Sequence, residues 1–481
     1  MGQIHSPESV FEKILQPADY NFLTDRMDLS KHPARFVTDS LYHVYSSFAY
    51  HDIYREWLND KLILSSNQYD ANTKLILPFS YSQMPGIISV KLNYSNFSFK
   101  DKTSNDDVDA SITHWPLYTL TGVVGIQSQK YKIGFSAEFA YGQSQSTLHI
   151  KKYYHDPEDD LVNRYFYDLL PTTFGEKIEF KSEHKYYRLS GEYKYLFNEK
   201  IQSSLLVDRL WIKNEYSLSY TNSSDRLAGE KKLAAPLDGD IYHIRCMNEV
   251  FFEDLTLRTD IGYRKSNILF ALTALNPTKS GNIYLDIREL ADSPLSSEQF
   301  GGGLGVEWKM NRIMALNLSI TTGNNSIHGQ GKFETPVLGF EPLPIAHQFD
   351  SDFEFDIDSW SYGLEWKYNP LKKLGYKINI EYIDGLGILA YDNLAKMEFG
   401  IGTSRFDDKI HYQIDMYRGG LSMNYKILEK YYLTANIEQI FPDIVEQKKN
   451  KTSKPSPPSK EKKKRFYWGG TIYSLGLNYI F

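Results

Sequence analysis

Apolar and polar residues alternate with a period of two along this chain, over stretches longer than ordinary soluble strands. That periodicity limits the fold to β-strands with different solvents on their two faces. In 131–141 one face carries Tyr131, Ile133, Phe135, Ala137, Phe139 and Tyr141, and the other Lys132, Gly134, Ser136, Glu138 and Ala140. Leu255, Leu257, Thr259, Ile261 and Tyr263 alternate with Thr256, Arg258, Asp260, Gly262 and Arg264. Further examples start near Tyr187, Met314, Tyr362 and Tyr376. The apolar faces tend to begin or end in Tyr or Trp. A soluble sandwich gives no reason for that placement, whereas the two interfaces of a bilayer do.

Composition narrows the choice. The 481 residues include 37 Tyr, 27 Phe and 7 Trp, which is too apolar for a disordered chain. No run of eighteen apolar residues occurs, which excludes a transmembrane helix. Backbone groups in lipid need internal partners, so a chain that crosses with strands must close them into a barrel. Lys+Arg 54 against Asp+Glu 60 leaves a net charge of −6, too balanced for a nucleic-acid binder. Cys246 is the single cysteine, so a disulfide framework and a cysteine zinc site are both excluded. It alternates with Ile244 and Tyr242, which puts it on the lipid face as a small hydrophobe. Residues 1–6 have neither a basic region nor an apolar stretch, and the reading adopted is a mature sequence restarted at Met1.

Connections alternate between short and long. Short turns fall near Met84-Pro85-Gly86, Ser128-Gln129-Lys130, Asn198-Glu199-Lys200, Glu253-Asp254, Met310-Asn311-Arg312, Asn369-Pro370-Leu371-Lys372 and Leu428-Glu429-Lys430. Long polar segments fall near 101–113, 149–179, 218–239, 273–296, 322–352, 394–407 and 446–464. The expected fold is an all-β, transmembrane, antiparallel up-and-down barrel of about sixteen strands, with fourteen to eighteen left open. Its short turns are periplasmic and its long loops extracellular. The first strand is expected within Phe36–Tyr54.

The C-terminal strand places Tyr473, Leu475, Leu477, Tyr479 and Phe481 on one face and stops on the aromatic. This resembles the C-terminal signal of bacterial outer-membrane β-barrel proteins. The resemblance covers about residues 36–481 and implies outer-membrane location, contact with lipid and lipopolysaccharide, and recognition by the barrel-assembly machinery. It fixes no subfamily. The N-terminus lacks the Asn-Pro-Ala motif of fatty-acid channels, and no arginine ladder like that of phosphate-selective porins stands out.

Residues 1–35 do not alternate. Ser6-Pro7-Glu8 followed by Val10, Phe11, Ile14 and Leu15 reads as a short capped helix ended by Pro17, in a periplasmic segment or a small plug. Lys448–Arg465 reads as a low-complexity basic loop. Asp352, Glu354, Asp356 and Asp358 share a strand face and are weak Ca²⁺ candidates. No other metal and no cofactor is expected.

Catalytic motifs are scarce, and the chain is read as a non-enzyme. The glycines of Phe300-Gly301-Gly302-Gly303-Leu304-Gly305 lack the lysine of a phosphate loop and suit bending or close packing of a strand. Ser190 and His184 can be paired on paper, as any serine can when twelve histidines are available. The lumen candidates are Lys132, Glu138, Arg188, Glu192, Lys194, Arg258, Asp260, Arg264, Glu365, Lys377, Glu381 and Glu438, with Glu307 and Asn436 beside them. Both signs are present in near balance. The first expectation is a porin-like channel that passes a polar solute through this mixed-charge lumen. The alternative is a plugged barrel serving as accessory subunit of an outer-membrane complex. Its aromatic loops Trp115-Pro116-Leu117-Tyr118 and Phe340-Glu341-Pro342-Leu343-Pro344 would then meet a lipoprotein or a second barrel.

Overall fold

The computed structural model describes residues 33–34, 42–57, 62–101, 108–150, 177–221, 230–274, 279–280, 283–284, 289–336, 339–340, 346–371, 373–397, 403–428, 430–447 and 465–480. Nine strands open the fold: β1 His43–Trp57, β2 Leu62–Tyr81, β3 Met84–Asp101, β4 Val108–Gln127, β5 Tyr131–Ile150, β6 Lys177–Asn198, β7 Ile201–Thr221, β8 Glu230–Phe251 and β9 Leu255–Ala274. Then follow β10 Lys279–Ser280, β11 Ile283–Tyr284, β12 Glu289–Lys309, β13 Met314–Pro336, β14 Gly339–Phe340 and β15 Ala346–Leu371. The last four are β16 Leu374–Met397, β17 Thr403–Leu428, β18 Tyr431–Gln447 and β19 Arg465–Ile480. Sixteen of these form one closed antiparallel barrel, while β10, β11 and β14 make a small separate sheet. The ring closes where β1 pairs with β19, from His43 opposite Ile480 to Glu56 opposite Tyr467. Every barrel strand therefore has two neighbours, and no edge faces lipid.

The outer surface explains why these sequences are stable in a bilayer. Leu189, Phe135, Leu318, Ile380 and Leu475 stand exposed there, each on the face predicted to be apolar, and so do Leu304 and Leu421. Two aromatic rings bound this band. On β6, Tyr187 and Phe197 lie ten residues apart and are both exposed. At about 3.3 Å per residue and a tilt near 40°, that spacing spans about 25 Å, the height of a barrel's apolar belt. The lower ring includes Tyr431 with Tyr479, 4.6 Å apart, and Trp366 stacked on Tyr368 at 5.5 Å. In the upper ring Tyr382 stacks on Tyr417 at 4.9 Å and on Tyr362 at 6.3 Å. Phe139 meets Tyr187 at 5.2 Å, and Tyr50 meets Tyr69 at 5.0 Å. This is the architecture of a bacterial outer-membrane barrel.

The seven short turns lie at one end of the barrel, with two shifted from the expected places. The first is Ser82–Gln83, before Met84-Pro85-Gly86, with φ of 48° and 65°. Two left-handed residues give the hairpin turn whose twist suits the flanking strands. The sixth comes after Leu371 and before Leu374, because β15 continues through Asn369 and Pro370. The first strand, His43–Trp57, starts inside the expected span Phe36–Tyr54 and runs three residues past it. Its Tyr45 points inward and is buried, and Gly476 makes the room: a Cβ there would lie 2.7 Å from the Tyr45 hydroxyl.

The largest correction concerns the long loops. Much of 322–352 is wall, because β13 and β15 pair continuously from Met314 with Tyr368 to Pro336 with Ala346. Trp115-Pro116-Leu117-Tyr118 likewise belongs to β4, beside a register shift between Ile112 and His114. The glycine run 301–303 sits well inside β12, not at a strand start. Of Phe340–Pro344 only Phe340 is described, in β14. The basic loop over 448–464 and residues 1–32 lie outside the described residues.

The two aromatic rings mark where substitutions should and should not be felt. Leu304→Arg, in the middle of the apolar belt, should cost about 2–4 kcal/mol. Gln330→Arg, exposed on the same outer side above the upper ring, should change stability by no more than about 0.5 kcal/mol. Urea unfolding in lipid vesicles measures both, and equal costs would show that the belt is misplaced.

The barrel lumen as candidate functional site

Side chains on the inner wall follow from strand parity, and their character changes abruptly with height. On β16, Lys377, Asn379 and Glu381 face inward, and the next inward residue is Ile383. On β17 the inner face passes from Arg418 to Met416 and Ile414. On β18 it passes from Thr434, Asn436 and Glu438 to Ile440 and Ile444. On β15 it passes from Glu365 and Ser361 to Ile357 and Phe355. Ile357, Ile383, Ile414 and Met416 pack as one buried cluster with Phe355, Tyr412, Ile440 and Ile444 against it. The outer wall switches at the same height in the opposite sense: Tyr382 gives way to Asp384, Tyr417 to Asp415, Phe441 to Asp443 and Trp360 to Asp358. At that step on β15–β18 the first outward residue above the aromatic is an aspartate and apolar groups turn in, although Leu386 and Ile388 are exposed further up the outer face of β16.

Below the switch the lumen wall is a belt of cross-strand ion pairs. Arg188 on β6 binds Asp208 on β7 through Nε and Nη2, both at 2.8 Å, and Ser190 donates to the same carboxylate at 2.6 Å. Arg245 on β8 grips Asp260 on β9, with Nε at 2.8 Å from Oδ1. Arg258 on β9 bridges Glu249 on β8 at 2.9 Å and Glu307 on β12 at 2.8 Å. Lys194 reaches across β7 to Glu249 at 3.2 Å. Around the other side, Glu365 takes Lys377 at 2.7 Å, Lys367 at 3.0 Å and the Asn317 amide at 2.7 Å. Arg418 is hydrogen-bonded to Glu438 and lies 3.7 Å from Glu381, which accepts from Ser361 at 2.6 Å. Glu138 accepts from Thr121 at 2.9 Å, and Asn436 donates to Ser474 at 2.8 Å. On β2–β4 an apolar cluster of Ile76, Ile87 and Val123 interrupts the belt.

The structure therefore places Arg188, Lys194, Arg258, Asp260, Glu365, Lys377, Glu381 and Glu438 in ion pairs along the inner wall, in several separate groups. Lys132 stands opposite Lys194 in register, and Arg264 opposite His243 and Gln299. Glu192 accepts a hydrogen bond from the Ala34 backbone N–H at 3.1 Å. Pro33 and Ala34 are the described part of the N-terminal segment, and both are buried inside the barrel. They press on β5 so closely that a Cβ on Gly134 would lie 2.0 Å from the Pro33 carbonyl carbon.

Other expectations resolve differently. Ser190 and His184 are not paired: Ser190 bonds Asp208, and His184 bonds Ser182 at 2.7 Å. Asp352, Glu354, Asp356 and Asp358 do share the outer face of β15, and two of them bond neighbouring side chains. Asp352 takes Gln330 at 3.3 Å and His328 at 3.5 Å, and Asp358 takes Asn324 at 2.7 Å. Among the described residues no group of three acids, histidines or cysteines is placed to hold a metal ion. Nearby, hydrogen bonding and charge from Arg405 hold the Asp392 carboxyl below the usual carboxylate range. Cys246 is exposed on the outer wall beside Ile244. Tyr473, Leu475 and Leu477 are exposed on the outer face of β19 and Tyr479 is half-buried; Phe481 lies outside the described residues.

Sequence reading missed the partners Asp208, Arg245, Glu249 and Arg418, and it missed the apolar upper wall. Their phase was visible: Asp208 alternates with Val207 and Arg209, and Arg245 with Ile244 and Cys246. Reading each strand in two halves, with the phase of the lower half reversed above the upper aromatic, would have found the wall.

Because the belt is buried, breaking one member leaves an uncompensated charge. Arg245→Ala should lower stability by about 3–5 kcal/mol, while Arg245→Met combined with Asp260→Leu should recover most of it. Urea unfolding in vesicles decides, and equal losses for the single and double variants would show that the pair is not what the fold depends on.

No family model matches the sequence, and no curated protein matches it. Several solved barrels are similar in shape. A Pseudomonas aeruginosa FadL homologue is 10% identical, with a TM-score of 0.42 over 93% of this chain and 92% of its own. The P. putida toluene transporter TodX is 9% identical, with a TM-score of 0.45 over 95% and 94%. The ferric yersiniabactin uptake receptor FyuA from Yersinia pestis is 7% identical, with a TM-score of 0.40 over 92% and 80%. These likenesses extend to the barrel and carry nothing about ligand or mechanism.

Proposed function

We propose that this chain is a bacterial outer-membrane transport channel for an apolar or amphipathic solute. The upper lumen receives the solute, and the ion-paired belt is a floor that rearranges to let it pass. One observation carries the reading: the inward switch from Glu381, Arg418 and Glu438 to Ile383, Met416 and Ile440. An apolar wall above a polar floor lowers the free energy of an apolar solute in the chamber by roughly 25 cal/mol per Å² of surface removed from water. A polar solute gains nothing from that wall, and the floor's charges are engaged with each other. The reading therefore departs from a porin-like passage for polar solutes. Pro33 and Ala34, seated on Gly134 and Glu192, support a floor that these two residues help to fill. The closing position of β19 supports reading its outer face as the barrel-assembly signal, with that machinery as the biogenesis partner.

Two measurements test the proposal. Single-channel recording in planar bilayers should find the folded protein mostly silent. Gly134→Val, which displaces Pro33, should raise open probability at least tenfold. The fluorophore 1-N-phenylnaphthylamine should bind saturably, and Ile383→Asp with Ile414→Asp should weaken it at least tenfold while heat-modifiable mobility is retained. Steady open levels without dye binding would restore the polar channel. A silent protein that binds no dye would leave the accessory-subunit reading instead.

A further inference from the structure

We propose that Ser182, His184 and Asn214 form a nucleophilic relay on the wall of the upper chamber, which hydrolyses a carboxylic ester of an amphipathic molecule. The substrate class rests on the chamber reading above; the relay rests on its own geometry. Ser182 Oγ lies 2.7 Å from His184 Nε2, and both side chains are buried. Asn214 stands directly opposite His184 in the β6–β7 register, and its side chain hydrogen-bonds the imidazole. A nucleophile within reach of a base, with the base held by a third group, is the arrangement that acyl transfer requires.

The location separates this group from the other lumen hydroxyls. Ser190, Ser361 and Thr121 each lean on a carboxylate of the belt: Asp208, Glu381 and Glu138 respectively. A serine held that way has no base that can take and return its proton near neutral pH. Ser182 and His184 lie above the Tyr187 ring on the same inward face as Arg188 and Ser190, with Tyr216 and Asn214 opposite them on β7. The imidazole suits a proton shuttle.

The chemistry balances without any other reactant than water. Ser182 Oγ attacks the ester carbonyl carbon as its proton passes to His184 Nε2. The ester C–O bond breaks, and His184 returns the proton to the leaving alcohol. A water molecule then attacks the acyl-serine through the same base and releases the carboxylic acid. Asn214 is a positioning residue: it fixes the ring orientation and touches no reacting atom.

The test uses the full chain, folded in detergent and judged by heat-modifiable mobility. A fluorophosphonate probe should label the wild type, with the adduct mapped to Ser182 by mass spectrometry. Ser182→Ala should abolish labelling, His184→Gln should slow it at least a hundredfold, and Ser190→Ala should leave it unchanged. Asn214→Asp should preserve labelling and move its pH midpoint upward, since a carboxylate favours the protonated ring. A merely structural asparagine would leave that midpoint in place. Folded wild type that is not labelled, labelling at another serine, or labelling that survives His184→Gln would each overturn the proposal. Dye binding without labelling would sink the relay and leave the chamber standing; absent dye binding with Ser182 labelled would do the reverse.

Discussion

Everything in this molecule depends on satisfying the backbone in lipid. A strand that enters hydrocarbon must have both neighbours in place, so sixteen strands close on one another and β19 seals against β1. Once the ring is closed, each strand has one face outside and one inside, and period two does the rest. The strands run from 15 to 26 residues, well beyond the 9–11 or so that a bilayer needs. The surplus length rises into water, and there the same parity must serve the opposite solvent. That is why the phase reverses between Tyr382 and Asp384, and between Glu381 and Ile383, within a single step of the pleat.

The reversal gives the lumen its two levels. At membrane height the inside is the polar side, and the wall is wide enough that charges must find each other along it rather than across it. Arg188 with Asp208, Arg245 with Asp260, and Lys377 with Glu365 all join side chains on adjacent strands. Arg258 and Lys194 both meet Glu249, and Arg258 also reaches Glu307, so four side chains share one group there. Such pairs recover the cost of leaving water only when their hydrogen bonds are met, which sets Ser190, Asn317 and Ser361 beside them. Above, the inner wall of β15–β18 needs no such compensation, and Ile357, Ile383, Ile414 and Met416 pack there as an apolar cluster.

Much of this was legible in the residues. Tyr131 to Tyr141 and Leu255 to Tyr263 read as strands because lipid on one face leaves an unbroken apolar row. The segment 322–352 did not, because Gly323, Asn324, Asn325, Gly329 and Gly331 resemble loop composition and the polar row there faces out. Asp352, Glu354, Asp356 and Asp358 were seen to share a face, but whether that face met a cation, water or the lumen needed the strand's height relative to the upper ring.

The sequence by itself determined the barrel, its strand parity and the seven tight turns, since these follow from local alternation and from the demand that no backbone group in lipid go unpaired. Only the tertiary structure decided which charges meet, where Pro33 and Ala34 sit, and which hydroxyl lies against which imidazole. Those contacts join residues such as Arg258 and Glu307, or Ala34 and Glu192, whose approach is set by ring closure and inter-strand register. Register is a property of paired strands, and no single strand's sequence contains it.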